Sequence, residues 1–220
     1  MKKFAALAGL GAIALAGAAN ADFTGVELVE VGEILPGTTT YRIFAVSDNP
    51  TDRLLAVNGD FNGFGEAGVL RFMSTADLVQ DAGPFNGTAF GDRPNLFDAN
   101  GADSWVSIGI NAAGNGSDTA FSPGFLGGDG SGSVINGSMF EQLNNGGYFD
   151  QNPSTVEGDG AIIAQFTLPT GAEWSYQGVL SFATDAGGPF GTTFSVVVPA
   201  PGAVALLGLA GLAGTRRRRA

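Results

Sequence analysis

The 220-residue chain contains no cysteine and no histidine, and its only lysines are Lys2 and Lys3. Each absence closes a class of chemistry. Without thiol or imidazole there is no Ser-His-Asp triad, no cysteine nucleophile, no structural zinc site and no iron–sulfur cluster. Without cysteine there is no disulfide either, so the fold must hold by packing. No lysine follows any glycine cluster, which removes a phosphate-binding loop. Hydrolytic chemistry would have to rest on two carboxylates alone, set about 5–5.5 or 6.5–9.5 Å apart as in glycosidases. What the chain does have is 36 glycines, 10 prolines and 17 phenylalanines. Gly and Pro stay below the roughly 25–30% share that marks low complexity, and the aromatics supply a core. The length points to one domain.

Both ends read as processing signals. Residues 1–21 have the three parts of a secretory signal peptide: Lys2 and Lys3, the uncharged stretch Phe4 to Ala18, and the small residues Ala19 and Ala21 at −3 and −1. Cleavage by signal peptidase is expected before Asp22. Residues 199–220 form a tail of equal order. Val198-Pro199-Ala200-Pro201-Gly202 breaks secondary structure through its prolines. Ala203 to Gly214 then carries no charge, and Arg216, Arg217, Arg218 and Arg219 follow. A short apolar helix of this kind enters a bilayer, and the arginines hold its end on the cytoplasmic side. Twelve helical residues rise only about 18 Å against a hydrocarbon core of about 30 Å. The segment therefore suits a transient membrane tether better than a permanent one.

This Pro-containing tetrapeptide, Leu/Gly/Ala helix and terminal arginine cluster resemble the PEP-CTERM sorting tail of exported bacterial proteins. Ala200 stands where that family usually has glutamate. The resemblance covers only the tail. It implies recognition by an exosortase, a membrane transpeptidase-like processing enzyme, and delivery from a tethered inner-membrane precursor to the cell surface or an exopolysaccharide matrix.

Between the signals lies residues 22–198, the expected extracytoplasmic domain. Its cations are Arg42, Arg53, Arg71 and Arg93, against all 21 acidic residues, a net charge of −17. Such a surface repels nucleic acid and anionic lipid. Neutral glycans and divalent cations remain acceptable partners, and the charge alone provides solubility.

The pattern is all-β. Alternating or β-branched runs at 26–31, 39–47, 53–57, 69–73, 105–110, 162–168, 174–182 and 193–198 predict about eight strands, separated by long Gly/Asn/Asp loops. The expected architecture is an antiparallel, jelly-roll-like β-sandwich with one or two short helices. Ser138-Met139-Phe140-Glu141 has the capping-box form, and Ser74 to Gln80 has room for one or two helical turns.

Two constellations suggest binding. Asn58-Gly59-Asp60-Phe61-Asn62-Gly63 matches the first half of a calcium loop, with Glu66 as a further oxygen ligand; Val69 then occupies the place of the bidentate glutamate. The same residue types also populate turns for backbone reasons. Calcium is the one cofactor in view. Exposed aromatics hold sugar rings, and Tyr148, in the Gly-rich stretch Asn144 to Asp150, is expected to face solvent. Trp105 is the second candidate, whereas Trp174 and Tyr176 continue into Leu180 and Phe182 and read as core. The leading expectation is a non-catalytic surface or matrix protein. A carbohydrate-binding module and a carboxylate-only glycan hydrolase or lyase stay open beside it.

Overall fold

The computed structural model describes residues 23–47, 51–59, 69–79, 95–96, 102, 104–109, 119–121, 134–142, 146–151, 160–184 and 187–200. The expected signal peptide and the expected apolar helix with its arginines lie outside these residues.

The described chain is all-β, with thirteen strands and no helix. In order they are β1 (Phe23–Gly32), β2 (Thr38–Ser47), β3 (Arg53–Asn58), β4 (Leu70–Ser74), β5 (Asn95–Leu96), β6 (Trp105–Val106), β7 (Thr119–Phe121), β8 (Val134–Asn136), β9 (Met139–Gln142), β10 (Gly147–Asp150), β11 (Ala161–Pro169), β12 (Trp174–Thr184) and β13 (Gly187–Val198). Eight of them overlap the expected runs, and four of these (β1, β2, β11 and β13) start ahead of their run. The other five are two to four residues long and lie outside those runs, β9 in a segment expected to be helical.

Two sheets result. One has the order β1-β2-β11-β6-β5, the other β7-β10-β3-β12-β4-β9-β8, with β13 added beside β12. All pairs are antiparallel except β5 with β6. The long β12 takes β13 along one side and, on the other, β4 at Trp174–Gln177 and β3 at Val179–Ala183.

The core lies where rings from both sheets meet. Phe166 of β11 packs on Phe72 of β4 at 4.6 Å and on Tyr176 of β12 at 5.1 Å, edge to face. Tyr41 of β2 meets Trp174 at 5.2 Å, and Phe194 of β13 closes on Tyr176 at 5.2 Å. Each ring pair adds roughly 0.5–1.5 kcal/mol beyond its area burial. This aromatic packing holds the domain without disulfides.

The two expected helices are corrected. Ser138 to Glu141 does not open a helix: Gly137 and Ser138 form a two-residue turn between β8 and β9, pairing Asn136 with Met139. Phe140 is thereby turned inward to stack on Phe72 at 5.5 Å, and Glu141 pairs with Arg71 across the sheet instead of capping the Ser138 end. A lone helical turn is costly to nucleate, and burying Phe140 favours the strand. Residues 75–79, following β4, are also non-helical. Ser107 to Gly109, expected to continue a strand from Trp105, lie past the end of β6.

Candidate functional site

The sequence places function at the end of the domain where the tail begins, and the described chain reaches that point. β13 finishes at Val198, paired with Trp174. Pro199 has no N–H with which to extend the ladder and is exposed. The Ala200 N–H donates to Glu173 Oε1 at 3.3 Å, so the chain leaves along the β11–β12 turn. Pro201, Arg216, Arg217, Arg218 and Arg219 lie outside the described residues, as do Ala19 and Ala21.

Three segments meet at this end. The β1–β2 turn is fixed by Thr38 Oγ1 and the Thr38 N–H, which both donate to Leu35 O, and by the Gly37 N–H, which donates to Glu33 Oε1 at 2.8 Å. Gly37 has φ of +80°, a left-handed conformation that glycine adopts without strain. The Thr170 N–H donates to Gly37 O at 3.0 Å, tying this turn to the β11–β12 turn. The exit strand β13 is the third. Glu30, Glu33 and Glu173 are exposed here. Burial, and secondarily the Glu30 carboxylate, pushes the Tyr41 phenol above its ordinary value.

The aromatic candidates for sugar binding are corrected. Tyr148 is fully buried, not exposed in a loop. It lies on β10, and its hydroxyl donates to Ile163 O of the opposite sheet at 2.7 Å while accepting from the Tyr176 hydroxyl at 2.9 Å. Burial raises the pKa of both phenols. Glycine neighbours suggested a loop, yet Gly147 is what lets β10 approach β3: a Cβ there would strike Val57 O and Asn58. Trp105 is 1% exposed, since pairing with Gln165 sets it against the middle of the first sheet. Neither ring can stack on a sugar in this arrangement. Trp174 and Tyr176 are core residues.

Of the calcium candidates only Asn58 is described; Asp60, Asn62 and Glu66 fall outside. Asn58 ends β3, 5% exposed. Its Nδ2 donates to Ser181 Oγ at 3.2 Å and its Oδ1 accepts no hydrogen bond. Among the described residues no group of three or more acidic side chains is placed to hold a metal ion, and no helix is long and apolar enough to cross a membrane.

A feature that sequence reasoning missed is an apolar collar. Six large apolar side chains are exposed among the described residues: Val29, Val31, Ile34, Met73, Phe149 and Val197. Five of them belong to the tail-bearing end. Glu30 pairs with Tyr41, which touches Trp174, the partner of Val198; this puts Val29 and Val31 beside the exit. Val197 pairs with Ser175, and Ser175 with Met73. Ile34 is in the β1–β2 turn. No motif marks these residues, because single valines in strands are ordinary; only the register gathers them.

Comparison with protein-family models, curated proteins and solved structures finds no match to the chain.

Proposed function

We propose that this is an exported, non-catalytic cell-surface or extracellular-matrix protein. Its N-terminal signal peptide directs secretion, and its PEP-CTERM-like tail serves first as a membrane tether and then as the substrate of an exosortase-type enzyme. The observation that carries this reading is the exit from β13. The regular ladder stops at Val198, and Pro199 stands exposed directly ahead of the uncharged segment and the arginines. A processing enzyme needs an extended, accessible chain at such a boundary, and proline supplies it. The same reading takes the two facing sheets as a jelly-roll-like sandwich between a cleaved leader and a C-terminal hydrophobic helix. Calcium acts on it by screening the −17 charge rather than as a resident cofactor.

Deleting Arg216 to Arg219 should let the tail slip through the membrane, so that unprocessed protein leaks into the medium. Replacing Pro199 and Pro201 with alanine should instead leave the protein anchored and uncleaved. Mass and location of both variants in the exporting cell test the assignment. Wild-type mass at the surface for both would refute a sorting role.

A further inference from the structure

We propose that the tail-bearing end of the domain is a membrane-contacting face, on which Val29, Val31, Ile34, Met73 and Val197 enter the headgroup region of a neutral phospholipid bilayer while the tail is inserted. The inference rests on the tether reading above and adds a surface to it.

Chain length fixes the geometry. Only Pro201 and Gly202 separate Ala200 from the apolar segment starting at Ala203. Three residue steps span at most about 11 Å. If that segment is in the bilayer, the end of the domain formed by Ile34, Gly37, Thr170 and Glu173 is held against the lipid surface.

Five of the six exposed large apolar side chains are at this end. Val31, Val197 and Met73 are each one residue from the end of their strand, and Val29 is three. At about 3.3 Å per residue Val31, Val197 and Met73 lie within about 4 Å of their strand ends and Val29 within about 10 Å, the depth to which interfacial apolar groups penetrate. The need is physical as well. A helix of about 18 Å leaves a core of about 30 Å incompletely spanned, and apolar side chains at the rim add to a marginal anchor. Because the tail already holds the domain at the surface, each weak contact forms at high effective concentration.

Charge selects the lipid. Glu30, Glu33 and Glu173 are exposed around the same end, and among the described residues no arginine forms an ion pair with them. An anionic surface repels such a rim. Zwitterionic phosphatidylcholine does not.

The absence of cysteine makes the test direct, since one introduced thiol takes a dye at one place. Full chain labelled singly at Pro36→Cys, Thr51→Cys or Leu212→Cys is reconstituted into phosphatidylcholine vesicles with brominated acyl chains. Thr51 lies at the opposite end of the sheets, beyond Ser47. Quenching at 36 should exceed that at 51 severalfold, and Leu212 should be quenched most. The triple variant Val29→Ser, Val31→Ser and Val197→Ser should bring quenching at 36 down to the level at 51 while leaving Leu212 unchanged. Replacing a third of the lipid with phosphatidylglycerol should lower quenching at 36, and a rise there would overturn the neutral-lipid assignment. If Leu212 is quenched and 36 resembles 51, the membrane face is wrong and the tether stands. An unquenched Leu212 would remove both. Concentration-dependent dimers in vesicle-free detergent, lost in the triple variant, would assign the collar to a second copy and overturn the proposal.

Discussion

β11 and β13 are long strands on opposite sheets, and they treat their polar residues in opposite ways. β11 lies between β2 and β6 and is buried on both faces from Ala161 to Leu168. Its Gln165 accepts from Arg42 Nε at 2.8 Å, and its Thr167 hydroxyl bonds that of Thr40 at 2.8 Å. The Thr167 N–H donates to Ser104 Oγ at 3.0 Å. Among the described strands β13 pairs only with β12, and it alternates between buried Phe194 and Val196 and exposed Ser195 and Val197. A polar residue in β13 therefore marks solvent, whereas in β11 it marks a buried partner on the next strand. The same two-residue period yields a half-exposed edge in one strand and a fully covered centre in the other.

The largest effect should separate the strands outright. Phe166→Ala removes the ring that joins both sheets and should cost about 3–5 kcal/mol, whereas Val197→Ser should stay within about 0.5 kcal/mol. Urea unfolding of both variants measures the contrast, and similar midpoints would break it.

Alkaline pH gives the next effect. Burial holds the Tyr148 and Tyr176 phenols above their ordinary value of 10. The folded state keeps both protons while the unfolded chain releases its own, so this stability is complete below about pH 10 and lost as pH rises further. The slope should approach about 2.7 kcal/mol per pH unit if both phenols contribute. Tyr176→Phe should halve it. A stability curve flat from pH 9 to 11 would contradict the buried pair.

A smaller test concerns the covered face of β11. Thr40→Val or Thr167→Val alone orphans a buried hydroxyl and should cost about 1–3 kcal/mol. The double variant should recover most of that loss, because replacing both partners with groups of the same shape is nearly neutral. Additive losses would mean that the hydroxyl pair carries no coupling. The smallest effect is expected from metal. Calcium and magnesium should raise the melting temperature nearly equally, and Asp60→Asn should change little. A calcium-selective gain abolished by that substitution would make the 58–66 loop a calcium site.

The all-β class and the seven longer strands were legible because β-branched and aromatic residues recur at a period of two between turn residues, whereas the run from Trp105 to Ile110 yields only the two-residue β6. Trp174 and Tyr176 were legible as core by the same alternation. Tyr148 was misread because Gly146 and Gly147 carry a loop signature, although a glycine is what close strand approach requires there. Ser138 to Glu141 satisfied a local capping pattern that tertiary burial of Phe140 overrides. The proposed sorting residues form a linear motif and were read from the sequence directly. The apolar collar could not be, because Val29, Met73 and Val197 become neighbours only through the register of four strands.

The manner in which β13 joins the tail has a mechanical consequence. Ten residue pairs bind β13 to β12, from Thr184 with Gly187 to Trp174 with Val198, and their hydrogen bonds run across the strand direction. Under the proposed tethering, a pull on the tail enters at Val198 and is directed along β13. The rungs then share the load in shear instead of opening one after another. A load along the tail would thus meet the joint in its stiffer orientation, while a sideways pull would peel β13 from Val198 backwards.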